Sequence, residues 1–287
     1  MIWLWCARLT WALLPVSVGT ALADALVSWS TTPARVATVL AWIAWSLGLL
    51  ALFAPRTWGL TCLRVLAPAA VVVAVLAAFG TDALSAVIAI ASSLVTAAFA
   101  CSAPVAQAAA NSEAYGDEVR FPLRIPPALF LGPVPLALVS IAAGVAVGPI
   151  LLADGRVPAG VVVTVVGLAL AATLARSLHA LSRRWLVLVP AGLVVADPLT
   201  LADPVLMRRE QILEIEQGPA SAPADVLDLR LGSAAGTVEV RLRAAQSFAR
   251  RRGRRAMELR DSDAILVSTV LTGAFMQAAG TRRIATT

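Results

Sequence analysis

Residues 176–217 read RSLHALSRRWLVLVPAGLVVADPLTLADPVLMRREQILEIEQ, and the change of pattern inside this stretch decides the architecture. It opens on the end of a long apolar segment. Arg183, Arg184 and Trp185 then form a basic, aromatic exit from the bilayer, the combination that anchors a helix end at the cytoplasmic interface. Beyond them the period changes. Leu186 to Pro190 and Leu193 to Ala196 are short apolar, β-branched runs separated by Ala191 and Gly192, which is a hairpin signal. Sequence before this exit reads as membrane, and nearly all of it afterwards as a small soluble domain.

Composition agrees with that division. Hydrophobic residues make up 59% of the 287 and charged residues 14%, against roughly 45–50% and about 25% in soluble globular proteins. A multi-spanning membrane protein is the common class that fits. All 23 basic residues are arginine, and 16 of them lie from Arg176 onward. The absence of lysine fits a coding bias and says little about function, although arginine's planar fork suits phosphate contact. Cys6, Cys62 and Cys101 all sit in apolar segments and read as small buried hydrophobes rather than as a disulfide or metal set.

Six apolar runs approach the ~20 residues needed to cross ~30 Å of hydrocarbon: 2–27, 36–54, 58–79, 83–103, 128–153 and 159–175. Arg8 falls inside the first run, whereas a signal peptide carries its charge ahead of the apolar core, so this segment is retained as a helix. The connections are short enough that neighbouring helices are antiparallel; the first polar interval of any length is 111–127. An even number of spans puts both termini on one side. The arginine-rich tail selects the cytoplasm, leaving Arg56, Arg120 and Arg124 inside and Arg35, Asp82, Asp154 and Arg156 outside. Five and seven spans are the alternatives. The seventh candidate, 264–280, is short for crossing and is interrupted by Ser268, Thr269, Thr272 and Gln277. It reads as a helix packed on the soluble domain, with Asp261, Ser262 and Asp263 as N-cap candidates.

The soluble portion, 183–287, is patterned for strands. Val226 to Leu231 alternates apolar residues with Asp228 and Arg230, and Val238, Val240 and Leu242 alternate with Glu239, Arg241 and Arg243. Period two describes strands with one buried and one wet face. The expected fold is therefore a membrane all-α bundle of about six helices followed by a small, mainly-β cytosolic domain of five or six strands with a C-terminal helix.

The order Trp185-Leu-Val-Leu-Val-Pro-Ala-Gly192-Leu-Val-Val, a loop, then Met207-Arg-Arg-Glu-Gln-Ile212 resembles the opening of bacterial PH-like domains. The whole layout is similar to uncharacterised polytopic membrane proteins of actinobacteria. The resemblance covers about a hundred residues. It implies a binding or scaffolding module at the plasma membrane and carries over no catalytic residue and no cofactor.

Four sets of residues stand out as sites. Arg250, Arg251, Arg252, Arg254 and Arg255 form the strongest charge feature. Near a cytoplasmic face they would attract anionic headgroups at ~1 kcal/mol per basic residue; the bland alternative is a solvated loop that only enforces orientation. Nucleic acid is a poorer partner, since no stacking aromatics or helix-turn-helix pattern accompanies the arginines. Asp24 and Arg64 are the ionisable residues nearest the membrane interior, where charges are functional candidates by default, but they fall near opposite faces. Gly144 and Gly148 make a small-xxx-small contact suited to packing within the bundle or to homo-oligomerisation. His179 is the single histidine, and neither a nucleophile elbow, a Walker loop nor a zinc spacing is present.

The expectation is thus a non-enzymatic scaffold or accessory subunit that contacts membrane lipids and another membrane or cytosolic protein. A small transporter or lipid flippase is the alternative, favoured if Asp24 or Arg64 faces a water-filled cavity. A pocket gathering Asp or Glu from three cytoplasmic segments would instead favour an enzyme.

Overall fold

The computed structural model describes residues 2–253 and 256–286. The chain forms two compact units, Met1–Ala109 with Val134–His179, and Ala110–Pro133 with Ala180–Thr287.

The first unit is helical. Helices α1 (Ile2–Ala12) and α2 (Leu14–Leu26) together make one apolar segment; α3 (Thr31–Phe53), α4 (Thr57–Ala77) and α5 (Ala83–Ala100) follow. After α6 (Ala103–Asn111) and an excursion into the second unit come α8 (Pro133–Ala153) and α9 (Val157–Ser182). Six segments are long and apolar enough to cross a membrane: Ile2–Leu26, Thr31–Phe53, Thr57–Ala77, Ala83–Ala100, Pro133–Ala153 and Val157–Ser182. Their packing is the reverse of a soluble bundle. Ala7, Ala21, Ala67, Ala74, Ala89 and Ala100 are fully buried, while Val16, Leu76, Leu136 and Val166 face outward. Small residues let helix backbones approach, and the large apolar side chains point outward, the pattern expected of a membrane bundle.

The break between α1 and α2 has a specific cause. Pro15 has no N–H, so the Trp11 carbonyl one turn earlier loses its helical donor. A neighbouring helix supplies the replacement, since the Trp45 indole donates to that carbonyl at 3.0 Å. Arg8, within the same apolar segment, lies between the Trp5 and Phe53 rings, each centroid 4.8 Å away. It donates to the Leu52 carbonyl at 3.0 Å, at the last turn of α3. The charge is thereby spent on an orphan helix-end acceptor.

The second unit holds two four-stranded sheets. One runs in the order β1 (Val119–Pro122), β2 (Trp185–Val189), β3 (Gly192–Ala196), β4 (Val205–Arg208), all antiparallel. A side chain on Gly192 at the β2–β3 turn would collide with the Met207 carbonyl of β4, so this position requires glycine. The other sheet has the order β5 (Ile212–Gln217), β7 (Thr237–Arg252), β8 (Ala256–Ser268), β6 (Leu227–Asp228), with β6 parallel to β8. Phe121, Leu186, Leu193, Val195 and Met207 from the first sheet and Val238, Val240, Ile265 and Val267 from the second bury into one core. Helix α10 (Thr272–Thr281) closes it, its Phe275 meeting Phe121 edge-on with centroids 5.3 Å apart.

Three expectations are corrected here. First, the second unit does not begin at 183: the interval 111–127 contributes β1, which pairs Phe121 with Leu186, and a short helix α7 (Pro127–Leu131) precedes the fifth span, which starts at Pro133 rather than 128. Second, there are eight strands among the described residues rather than five or six. Third, 264–280 is not one helix: 264–268 is the end of β8 and only 272–281 is helical. The run Ala264-Ile-Leu-Val-Ser lies between β7 and β6 and is buried on both faces, which removes the alternation that identifies a strand. Asp261, Ser262 and Asp263 are strand residues, not caps.

Candidate functional site

Strands β7 and β8 are far longer than their neighbours and continue past an irregularity between Arg241 and Gln246 as a two-stranded ribbon. Arg250, Arg251 and Arg252 are therefore strand residues and not part of a loop. Arg250, Arg251 and Arg252 lie on the outgoing strand, paired with Glu258, Met257 and Ala256 respectively; Arg254 and Arg255 fall outside the described residues. Partners directly opposite in an antiparallel pair share a face. Arg251 accordingly shares one face with Met257, Ala249 and Leu259, while Arg250, Arg252, Glu258 and Arg260 share the other. Met257 and Leu259 are 69% and 76% exposed. The tip thus presents two large apolar side chains beside arginines.

Local contacts hold the ribbon in place. The Arg251 N–H donates to the Thr200 carbonyl at 2.8 Å and Ala202 donates to the Ala249 carbonyl at 2.9 Å, so the 198–204 loop braces the outgoing strand. Arg251 Nε also reaches the Leu201 carbonyl at 3.1 Å. Arg252 pairs with Glu258 at 2.8 Å in an exposed position, where such a pair contributes little. Phe248 is fully buried at the ribbon's base.

Of the three expected interface anchors only Arg183 is exposed. Arg184 is corrected: its guanidinium grips Asp197 through Nε–Oδ1 and NH2–Oδ2 bonds, both 2.7 Å, and donates from NH1 to the Arg124 carbonyl at 2.7 Å. Both charged side chains are almost fully buried. The fork of one arginine against one carboxylate is the geometry that repays desolvation, so Arg184 pins the start of β2 to the end of β3 and cannot reach a headgroup. Asp197 also accepts from the Leu199 N–H at 3.0 Å and serves both ends. Trp185 is half-buried, with Arg120 stacked over its ring at 4.8 Å.

A polar cavity in the same unit is lined by Glu216, Asp225, Glu239 and Asp263, with Arg241 among them. These carboxylates come from three strands and a loop. Arg241 bonds Glu239 and Glu216 at 2.8 Å each and Glu214 at 3.4 Å. The hydrogen bond and charge of Glu239, helped by Glu216 and Glu214, raise its guanidinium pKa above the ordinary value. Glu214, Glu216 and Glu239 thereby form a cross-strand ion-pair network centred on Arg241, while Asp225 and Asp263 complete the cavity wall. Nearby, Arg230 is buried and binds Asp228 through two bonds of 3.0 Å and the Pro219 carbonyl at 2.8 Å. Burial pushes the Asp228 carboxyl up, but Arg230's side-chain and backbone hydrogen bonds, with the charges of Arg230 and Arg250, outweigh it and hold the group below its ordinary range.

In the helical unit, Asp24 accepts from the Thr81 hydroxyl at 2.9 Å in an exposed position, and Arg64 is partly buried on α4 close to Cys101. The structure does not bring Asp24 and Arg64 together. Gly144 and Gly148 lie against α9: a Cβ on Gly144 would come within 2.6 Å of the Gly167 carbonyl oxygen, and one on Gly148 within 2.6 Å of the Thr164 nitrogen. His179 is buried, stacked on Trp58 with centroids 3.5 Å apart and bonded through Nδ1 to the Thr61 hydroxyl at 3.0 Å. Periodicity alone carries no signal for that stack. Cys101, expected buried, is exposed at the end of α5. Among the described residues no three His, Cys, Asp or Glu side chains gather as a metal ligand set.

No protein-family model, curated protein or solved structure matches the chain.

Proposed function

We propose that this is a multi-pass plasma-membrane protein with both termini in the cytosol, a membrane-bound scaffold or accessory subunit acting without catalysis. In this reading the β unit is a PH-like module of the kind carried by uncharacterised actinobacterial polytopic proteins, and its β7–β8 ribbon contacts anionic lipid. The observation that carries it is the ribbon tip, where exposed Met257 and Leu259 share a face with Arg251 and stand beside Arg250 and Arg252. Apolar side chains that partition into the interfacial region, flanked by cations that meet headgroup phosphates, are the two attractions a reversible lipid contact combines. Two four-stranded sheets around one core, antiparallel except for β6, and a closing C-terminal helix support the PH-like assignment. The polar cavity does gather carboxylates from three strands and a loop, but Glu216 and Glu239 are tied to Arg241, which supports a structural role for them. Asp24 and Arg64 do not line the apolar cavity between α2, α3 and α4.

The test uses the full chain in nanodiscs, because strand β1 comes from between the spans and a fragment starting at 183 lacks it. Amide exchange over 246–262 should be slower in phosphatidylglycerol discs than in phosphatidylcholine discs. Replacing Arg250, Arg251 and Arg252 together by glutamine should abolish that difference. Equal exchange in both lipids rejects the headgroup role. A stable companion protein, or a second copy, co-purifying from mild detergent would identify the scaffolded partner.

A further inference from the structure

The helical unit contains a cavity of about 350 Å³ between α2, α3 and α4, within the ~300–1,000 Å³ range of small-molecule sites. Its origin lies in the chain break already described. Pro15 ends the α1 segment, and the Trp11–Trp45 bonds hold α1 against α3 at that level. Beyond it the space between α2 and α3 is lined by Val18, Leu22 and Leu26, which recur every fourth residue of α2, and by Trp42 and Thr38 of α3, with Ala70 of α4 among the remaining walls. Trp42 is 52% exposed at the rim, so the cavity is a groove open at its side. All three walls belong to segments apolar enough to span a membrane, and the medium outside such segments is hydrocarbon.

The far end of the groove is different. Thr38, Trp42 and Trp45 lie on one stripe of α3, and Arg35 extends that stripe by one further turn at spacing i−3. Arg35 is exposed, and no hydrogen bond or ion pair engages its guanidinium among the described residues. Asp24, the carboxylate nearest that end of α2, is bonded to Thr81 instead. An apolar groove with a single arginine one helical turn beyond its Thr38 end matches an anionic amphiphile: hydrocarbon in the groove, phosphate at the guanidinium.

We propose that the α2–α3 groove is a binding site for one acyl chain of an anionic membrane phospholipid, with Arg35 receiving the headgroup phosphate. The site is separate from the arginine ribbon and stands or falls independently of it. Gly19 provides the means to block it. Gly19 lines the groove, and an added Cβ there would meet nothing closer than 3.8 Å, so alanine fits while leucine projects into the space.

The test is native mass spectrometry of the full chain in detergent, equilibrated with equal amounts of phosphatidylglycerol and phosphatidylcholine. The wild type should retain one phospholipid, with phosphatidylglycerol preferred. Gly19→Ala should behave as wild type, Gly19→Leu should lose the bound lipid, and Arg35→Gln should keep a lipid but lose the headgroup preference. The Gly19→Ala control separates occlusion from misfolding. A wild type that retains no lipid, or a Gly19→Leu variant that retains as much as wild type, overturns the site. A preference unchanged by Arg35→Gln overturns the role of Arg35.

Discussion

Trp11 and Trp45 exchange hydrogen bonds: the Trp11 indole donates to the Trp45 carbonyl at 2.9 Å and the Trp45 indole donates to the Trp11 carbonyl at 3.0 Å. Trp11 is buried, and the indole of Trp45 occupies the acceptor that Pro15 leaves open. Trp45→Phe keeps the ring and removes the donor, so it should destabilise the helical unit by about 1–2 kcal/mol, the scale of a side-chain hydrogen bond lost in apolar surroundings. Pro15→Ala in the Trp45→Phe background restores an N–H to the Trp11 carbonyl and should recover part of that loss. Reversible unfolding in mixed micelles, followed by circular dichroism, measures both. A Trp45→Phe variant as stable as wild type would remove the indole from the account of the kink.

The buried Arg184–Asp197 pair predicts an asymmetry. Asp197→Ala alone should cost about 3–5 kcal/mol, because it leaves a buried guanidinium without its counter-charge. Arg184→Met together with Asp197→Leu should lose much less, since neither charge is then buried. Amide exchange of β2 and β3 in the full chain reads the difference. Equal losses in the single and double variants would mean that the pair is not what holds these two strand ends.

Gly144 and Gly167 let α8 and α9 touch backbone to backbone, with the Cβ position of each within 2.6 Å of the other's carbonyl oxygen. Gly144→Ala should therefore destabilise by about 1–3 kcal/mol, as overpacking does. Gly19→Ala, where space is open, should not. Thermal unfolding in one detergent compares the two directly.

Asp228 supplies a pH dependence with a defined sign. Its carboxyl is held below the ordinary value in the folded protein, with Arg230's hydrogen bonds and charge outweighing burial. A depressed acid contributes stability that is present above its unfolded pKa of about 4 and is lost as pH falls through the folded value. Glu118 follows the same rule: burial acts to raise its pKa, and the Tyr115 backbone bond and Arg120 outweigh it. Asp228→Asn should flatten the acid limb of the β unit's unfolding curve below about pH 4 and leave its slope near pH 7 unchanged. An acid limb as steep as wild type would place the pH sensitivity elsewhere.

Much of the helical unit was legible because crossing a membrane is a property of one segment. Enough consecutive apolar residues satisfy it wherever the segment packs, and the spans read at 2–27 and 83–103 differ from helical segments Ile2–Leu26 and Ala83–Ala100 only at their ends. The strands were legible where one face is wet, as in Val238 to Arg243. Reading failed where burial or pairing depends on distant residues. Ala264 to Ser268 lost its period because both of its faces are buried, which residues distant in the chain decide. Val119 to Pro122 has no strand signal of its own and becomes β1 only because Leu186 stands opposite Phe121.

The candidate site divides in the same way. Clustering of arginines at 250–252 is a fact of composition, visible without a structure. Their place on a ribbon face with Met257 and Leu259 follows from the register of β7 on β8, which one residue of slip would invert. Arg183 and Arg184 are adjacent and chemically identical, yet one is exposed and the other is buried against Asp197. Sequence by itself determined how much of this chain is membrane and where its charge lies, since hydropathy and charge are sums over neighbouring residues. Only the tertiary structure decided which charges are paired, which apolar runs are strands and which helices part around a groove, because those outcomes depend on contacts between residues far apart in the chain.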